Sequence, residues 1–127
     1  MEIGIKGYAE TTVDESNVAS SVGSGLLDVF STPSMIALME KAAKDSVDPY
    51  LEEGQGSVGI RLEVDHLAAT PLGQKVWAES ELIEIDGRVL TFKETVYSEK
   101  EKIGQGIHKR CIISNERFLA KMKARYE

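Results

Sequence analysis

The sequence predicts an α+β fold in which one helix lies across an antiparallel sheet, and three local patterns lead to this prediction. Apolar and polar residues alternate over 57–65, as in a strand with one buried face. Thr32-Pro33 precedes a run of good helix formers that reaches Ala43, which indicates the start of a helix. Asp86-Gly87 separates two β-prone segments, and a tight hairpin needs the positive φ that glycine adopts easily.

The elements before the long strands are short, apart from the helix. Residues 8–13 are predicted to form an edge strand, and residues 14–30, rich in serine and glycine, indicate a mobile loop with room for one helical turn. A loop of this length in a compact domain is often functional. The helix ends before Asp48-Pro49, because the residue preceding a proline resists the α conformation. Its apolar side carries Met35, Ile36, Met39, Ala42 and Ala43.

Four long strands and a second helix follow. The first strand ends at His66, the next two cover about 74–85 and 89–97, and the last covers about 102–113. Gly104 and Gly106 in the last strand indicate a bulge or the close approach of another chain. One helix across one face of an antiparallel sheet is the hotdog arrangement, although the pattern also fits other α+β rolls. A terminal amphipathic helix carries an apolar stripe of Phe118, Leu119, Met122 and Tyr126.

Composition limits the classes of function. No repeat or linker divides the chain, so residues 1–127 are predicted to form a single domain. A formal charge of −6 disfavours nucleic acid as a partner, and no apolar run is long enough to span a membrane. The N-terminus has no export-signal pattern, which favours the cytoplasm. Cys111 is the single cysteine and is predicted to be a buried strand residue, and no Cys/His cluster has metal-ligand spacing.

Glu40 and His66 are the first candidates for chemistry. Strand alternation places His66 in phase with Val64, so its ring should point toward the helix, where Glu40 lies at the border of the apolar face. A carboxylate and an imidazole that meet at such a rim can move protons near neutral pH. The simpler alternative is a solvated helix carboxylate and a strand-end histidine that makes one backbone hydrogen bond.

Four further residues each have a structural and a functional interpretation. Thr32 either caps the helix or takes part in chemistry, and the amides of the first helical turn could stabilise an oxyanion, with Ser34 or Met35 as donor because Pro33 has no N–H. Gly59 falls on the polar phase of its strand, where a bulge or close packing is the structural alternative. His108 is predicted to be a surface or interface residue. Arg110 is predicted either to be solvated or to meet a phosphate or carboxylate.

Four sequence blocks in order resemble the fluoroacetyl-CoA thioesterase-like branch of the hotdog acyl-CoA thioesterases. The blocks are VFSTPSMIALME at 29–40, GSVG at 56–59, HLAATP at 66–71 and IGQGIHKR at 103–110. The resemblance implies a catalytic trio of Thr32, Glu40 and His66, because the family spacing of a Thr, a Glu eight residues later and a His twenty-six beyond that falls on them without a gap.

The resemblance also implies the surroundings of this trio. Arg110 would bind the ligand, and the backbone of Gly59 would lie beside the thioester. Fluoroacetyl-specific relatives have phenylalanines in the loop before the Thr, where this chain has Gly23, Leu26 and Leu27. We therefore expect Leu26 and Leu27 to contact the substrate and the acyl specificity to differ.

The function expected from the sequence is hydrolysis of a short-chain acyl-CoA to the free acid and CoA. No metal or prosthetic group is expected, and CoA enters only as part of the substrate. A homodimer is expected, because one helix covers one face of the sheet and a hotdog sheet usually continues edge to edge with a second copy. Two alternatives remain open, a hotdog module that binds acyl-CoA without turnover and a hotdog dehydratase that acts on a hydroxyacyl thioester.

Overall fold

Five antiparallel strands form one sheet, and a long helix lies across it. The computed structural model describes residues 1–127, and the strand order is β1-β3-β4-β5-β2. The edge strands β1 and β2 each pair with a single neighbour, as predicted for the first of them. The strands are β1 (Lys6–Thr12), β2 (Gln55–His66), β3 (Lys75–Asp86), β4 (Val89–Ser98) and β5 (Lys102–Ser114); the helices are α1 (Ala19–Val22), α2 (Thr32–Val47) and α3 (Asn115–Tyr126), with a 3-10 turn at Asp48–Tyr50.

The capping residue of helix α2 lies one position earlier than the sequence indicates. The capping side chain is that of Ser31, whose Oγ accepts a hydrogen bond from the Ser34 amide, and Pro33 lies in the first turn as predicted. The prediction that Thr32 caps the helix is therefore wrong, and its hydroxyl is free for another partner. The buried face of α2 packs chiefly against β1 and β3 and consists of Met35, Leu38, Met39, Ala42, Ala43 and Val47.

Gly104 leaves room on β5 for the side chain of Met35 from α2. A Cβ at this position would lie 2.5 Å from Met35 Sδ and 2.8 Å from its Cε, so a larger residue would require the end of this flexible side chain to move. The close neighbour of this glycine is therefore the Met35 side chain of the same chain, and the approach of another chain stays a prediction. The strand is also irregular here, since the register between β4 and β5 shifts between Val96 and Tyr97.

A bulge in β2 reverses the predicted phase of the part of the strand that precedes it. The register with β5 shifts between Gly59 and Arg61, so Ile60 has no direct partner. Leu62, which precedes Val64 on the inner face, keeps the predicted orientation, whereas Ile60 is 52% exposed. The prediction that Ile60 is buried and Gly59 lies on the polar phase is wrong, because one extra residue moves every side chain before it to the opposite face.

The remaining elements follow the sequence closely. Gly87 adopts φ +60° in the hairpin between β3 and β4, and α1 supplies the single helical turn in the loop. Cys111 is half-buried on β5, not fully buried as predicted. No residue of α3 is buried, so its apolar stripe is not part of the core. None of the helices is both long and apolar enough to cross a membrane.

Candidate active site

Thr32 and His66 meet where helix α2 begins and strand β2 ends. The hydroxyl Oγ1 of Thr32 lies 2.7 Å from His66 Nδ1, a hydrogen-bond distance. His66 points toward the helix, as alternation along β2 predicted, and its Nε2 atom is buried without a hydrogen-bond partner in the chain. Burial lowers the pKa of His66 below its ordinary value of 6.5, so the ring is neutral at pH 7 and able to accept a proton.

Two amides at the start of helix α2, those of Ser34 and Met35, are already engaged. Ser34 N–H donates to Ser31 Oγ at 3.1 Å, and Met35 N–H donates to the Ser31 carbonyl at 2.9 Å. The expectation that one of these two amides stabilises an oxyanion is therefore wrong. The capping side chain that starts the helix uses the donor that such a site would need.

Arg110 lies inside the protein, on the inner face of β5. Its side chain is 6% exposed, and its Nη1 donates to Glu40 Oε2 at 3.3 Å. Nε and Nη2 donate to Ser57 Oγ at 2.8 Å and to the Ser57 carbonyl at 3.0 Å. The alternative of a solvated strand arginine is therefore wrong. Two nitrogens of the guanidinium are held by Ser57 on β2, and the third donates to the Glu40 carboxylate on the central helix.

His108 is fully buried, so the prediction of a surface or interface residue is wrong. Its Nδ1 lies 3.2 Å from the Arg61 carbonyl, which can only accept a hydrogen bond, and Nδ1 must therefore carry the proton. Nε2 is then the acceptor of the hydrogen bond from Arg110 Nη1 at 3.1 Å. Burial lowers the pKa of His108, which agrees with this neutral tautomer.

Gly59 leaves room for the carboxylate. A Cβ at this position would lie 2.5 Å from Glu40 Oε2 and 3.3 Å from His108 Cε1. The bulge at Ile60 turns Gly59 to the inner face, and the missing side chain lets Glu40 reach the sheet. Gly59 is thus a neighbour of the predicted catalytic glutamate, for a reason that strand alternation alone did not provide.

Within a single chain, the three residues Thr32, Glu40 and His66 do not meet at one place. Glu40 makes no hydrogen bond to Thr32 or His66, and its contacts are at Gly59 and Arg110. Thr32 and Glu40 lie about 12 Å apart along the axis of α2 at 1.5 Å per residue. Gly59 and His66 are separated by about 20 Å along β2. One chain therefore holds a Thr32–His66 pair and a Glu40–Arg110 pair that do not touch.

A cavity of about 340 Å³ opens beside the Thr32–His66 pair. Phe30 and Ala68 are among its lining residues. Leu26 and Leu27 do not line it; their side chains lie outside, with 95% and 68% of each residue exposed. A depression of about 410 Å³ lies along β1, β3 and β4, and one of about 740 Å³ lies along β2, β4 and β5; both linings are mostly polar or charged and include no residue of either pair. No group of three or more His, Cys, Asp or Glu side chains is placed to hold a metal ion.

Sequence comparison identifies the family. Residues 13–116 match the family described as fluoroacetyl-CoA-specific thioesterase, FlK. The chain is also 41% identical over 96 residues to the fluoroacetyl-CoA thioesterase of Streptantibioticus cattleyicolor, a match that spans 76% of this chain and 69% of that protein. The chain belongs to the fluoroacetyl-CoA-specific thioesterase family.

Solved structures agree with this membership. The fluoroacetyl-CoA thioesterase FlK superposes with a TM-score of 0.92 at 32% identity, over 98% of this chain and 96% of that one. A variant of FlK in complex with fluoroacetate and CoA gives 0.88 at 32% identity, over 93% and 99%. A thioesterase superfamily member from Thermus thermophilus gives 0.87 at 26% identity, over 98% and 95%. The hotdog fold, the family and the enzyme class, a thioester hydrolase, are confirmed.

Some residues of this candidate site were absent from the sequence prediction. Ser57 anchors Arg110, and Phe30 lines the cavity. His108 could have been found, since Gly104, Gly106, His108 and Arg110 occupy alternate positions and share the inner face. Ser57 had no such signal, because its orientation depends on the bulge at Ile60.

Proposed function

We propose that the protein hydrolyses short-chain acyl-CoA thioesters, giving a carboxylic acid and free CoA. The observation that carries the proposal is the 2.7 Å contact between Thr32 Oγ1 and His66 Nδ1 beside a cavity, in a chain of a thioesterase family. A neutral imidazole held by a hydroxyl at the rim of a cavity is suited to proton transfer. The reaction needs no metal or prosthetic group.

Glu40 supplies the carboxylate of the proposed reaction, and two routes use it. Glu40 attacks the thioester carbonyl, which forms an acyl anhydride that water then cleaves, or it takes a proton from the attacking water. In the first route, neutral His66 takes a proton from the water that cleaves the anhydride and then gives it to the thiolate of CoA. In the second route, it relays to that thiolate the proton that Glu40 took from the water. Thr32 orients the ring in both. Mass spectrometry of the rapidly quenched enzyme distinguishes the routes, because only the first gives an acyl adduct on Glu40.

The proposed active enzyme is a cytoplasmic homodimer that joins the two pairs. Strand β2 has a free edge, and two copies paired antiparallel about a two-fold axis run in opposite directions. The Gly59 end of one strand then lies near the His66 end of the other. Glu40 and Arg110 of one chain would thereby complete the site of Thr32 and His66 in its partner.

Mixed dimers test this arrangement. Glu40→Gln and His66→Asn chains are each expected to be inactive alone, but their mixed dimer keeps one site with both native residues. After equal amounts are unfolded and refolded together, half of the dimers are mixed, and about a quarter of the parent activity should return. Thr32→Ala mixed with His66→Asn is the matched control, because both changes fall on one pair and no intact site forms. A Glu40/His66 mixture that stays inactive while mass spectrometry detects mixed dimers would mean that each chain carries a whole site.

The proposed substrates carry small acyl groups, and discrimination against acetyl is expected to be weak. The cavity beside His66 is small, and the loop residues Leu26 and Leu27 extend from it into solvent, where they are proposed to contact the acyl-CoA at the mouth. Flexible leucines close a pocket less tightly than stacked aromatic rings. Ratios of kcat/KM should therefore be modest for fluoroacetyl-CoA over acetyl-CoA, with better turnover of propionyl-, butyryl- or isobutyryl-CoA.

A thiol-release assay over this substrate panel tests the activity itself. Release of free CoA with the matching acid supports the proposal. Saturable binding of acyl-CoA with no thiol release from any substrate would instead indicate a binding module. Loss of water from a hydroxyacyl-CoA with the thioester retained would indicate a dehydratase. A preference for fluoroacetyl over acetyl above about 10³-fold, or roughly 4 kcal/mol, would contradict the expected open pocket.

A further inference from the structure

His108 is a buried imidazole whose two nitrogens face groups of opposite hydrogen-bonding character. Nδ1 donates to the Arg61 carbonyl at 3.2 Å, and Nε2 accepts from Arg110 Nη1 at 3.1 Å. The carbonyl therefore fixes which nitrogen carries the proton, and the other nitrogen offers its lone pair to the guanidinium. Phe92 lies opposite on β4 and stacks on the ring, with the ring centroids 6.1 Å apart. The ring is thus held at its edge and at its face.

The carbonyl that orients His108 belongs to the bulge of β2. The register with β5 shifts between Gly59 and Arg61, and Arg61 is the first paired residue after the shift. A Cβ at Gly59 would lie 3.3 Å from His108 Cε1 and 2.5 Å from Glu40 Oε2. The imidazole and the carboxylate therefore approach the same irregular segment of the strand.

His108 uses a hydrogen of Arg110 that no other group takes. Ser57 accepts from Nε and Nη2, whereas both hydrogens of Nη1 have their own acceptors, Glu40 Oε2 at 3.3 Å and His108 Nε2 at 3.1 Å. The guanidinium is planar, so the two hydrogens of Nη1 have fixed directions relative to each other. An acceptor for one of them therefore directs the other toward the carboxylate.

Glu40 is the one carboxylate that bonds to this guanidinium. Glu94, on the inner face of β4, is 1% exposed, and neither of its oxygens has a hydrogen-bond partner. Burial raises the pKa of Glu94 to about 9, so it is uncharged at neutral pH. The charged groups that face His108 are likewise Arg110 and Glu40, because the residues opposite it on both neighbouring strands are apolar.

We propose that His108 is a positioning residue: it directs Nη1 of Arg110 to Glu40 and thereby holds the carboxylate in place. The Glu40 side chain is 40% exposed, and Arg110 is the side chain that bonds to it. Whatever fixes the guanidinium therefore also fixes the carboxylate. Without the acceptor on His108, one N–H of Nη1 is buried and unpaired, and the guanidinium can tilt about the edge that Ser57 holds. This inference rests on the proposed role of Glu40.

Two substitutions of His108 separate this role from a structural one. The amide oxygen of His108→Gln reaches the place of Nε2, so the acceptor for Arg110 is kept and the donor to the Arg61 carbonyl is lost. His108→Asn does the reverse, because its shorter side chain places an amide N–H at Nδ1. With propionyl-CoA, kcat should fall about tenfold to a hundredfold in His108→Asn, the range for a hydrogen bond to a charged group. In His108→Gln kcat should fall less than about threefold, and KM should change less than about threefold in both.

A merely structural role predicts the opposite order of activities, because His108→Asn keeps the bond to the bulge. Equal losses of kcat in the two variants, or a larger loss in His108→Gln, overturn the proposal. Lys109→Asn is the control for asparagine in this strand, since position 109 lies on the opposite face of β5, and it should keep the parent kcat. Urea unfolding of each variant measures its stability separately from its rate.

The tautomer in the parent is a test that needs neither hydrolysis nor a variant of His108. The chain has two histidines, so the His108 signals of 15N-histidine-labelled protein are those that remain in His66→Asn. At pH 7, long-range 1H–15N spectra should show a proton on Nδ1 and none on Nε2. A proton on Nε2 overturns the proposal, because that nitrogen could then not accept from Arg110.

The carboxyl resonance of Glu40 shows whether His108 acts on it. With 13C-labelled glutamate carboxyls, this resonance is identified by its loss in Glu40→Gln. It should move in His108→Asn and stay near its parent position in His108→Gln, and a resonance unmoved in both variants overturns the proposal. If no acyl-CoA is hydrolysed, the proposed function fails, while the Glu40 resonance still decides whether His108 positions the carboxylate.

Discussion

Replacing Glu94 with glutamine should stabilise the folded protein, and the gain should grow with pH. In the folded chain the Glu94 pKa is about 9, against an ordinary value of 4.5 in the unfolded chain. Folding therefore retains a proton that the unfolded chain releases. The resulting loss in the free energy of unfolding is absent below pH 4.5, increases between the two pKa values, and is constant above pH 9.

The size of the effect follows from the pKa difference. Each pKa unit corresponds to 1.36 kcal/mol, so 2.5 units between pH 4.5 and pH 7 cost about 3 kcal/mol. The difference in unfolding free energy between Glu94→Gln and the parent is compared with its value at the acid limit. It should be larger than that value by under about 1 kcal/mol at pH 5 and by about 3 kcal/mol at pH 7. Glutamine keeps the shape and stays uncharged, which isolates the ionisation from the loss of packing.

Urea unfolding at pH 5, 6, 7 and 8 measures this difference. The free energy of unfolding comes from linear extrapolation, and the protomer concentration is held fixed because a dimer's stability depends on it. The other titrating groups are common to both proteins and cancel in the comparison. A stability difference that stays constant from pH 5 to pH 8 would refute the reasoning, since it would mean that Glu94 is charged or solvated in the folded state.

Three further predictions concern the active site and the assembly. Glu40→Gln should reduce kcat by at least about 10²-fold with an unchanged fold by circular dichroism, and a parental rate would exclude Glu40 from the reaction. Burial lowers the pKa of His66, so the acid limb of the parent pH–rate profile should have its midpoint below 6.5, and a midpoint above 7 would contradict this. His66→Asn should remove that limb together with most of the rate. Light scattering after gel filtration should give twice the chain mass of 14.0 kDa, and a stable monomer at micromolar concentration would contradict the dimer.

Local signals predicted the elements of the fold because they act over a few residues. Pro33 indicated the start of α2, and Asp86-Gly87 indicated the hairpin between β3 and β4. Alternation over β2 placed His66 toward the helix, and the structure places it there beside Thr32. These features depend on backbone preferences and on which face of an element is apolar, and both are readable in the sequence.

The inner surroundings of Glu40 could not be predicted in the same way. The bulge at Ile60 depends on how β2 pairs with β5, and it turns Gly59 and Ser57 inward against the alternation of the sequence. Arg110 then finds its partners on a strand about 50 residues earlier. Glu94 gave no signal either, because a glutamate in a strand is normally an outward residue, and its burial is a property of the folded sheet.

The cap of α2 shows how a single position separates stability from chemistry. A residue at the cap commits its side chain to the helix backbone, as Ser31 does with the Ser34 amide. The next residue, Thr32, has helical backbone geometry but a side chain that the cap does not use, and its hydroxyl holds His66. The same cap occupies the amide that could have bound an oxyanion. The Ser34 and Met35 amides are therefore not available to the developing charge in the proposed reaction, whereas neither the cap nor a helix carbonyl engages the Thr32 N–H. A dimer paired through β2 would bring the inner face around Gly59 and Arg110 to the same place.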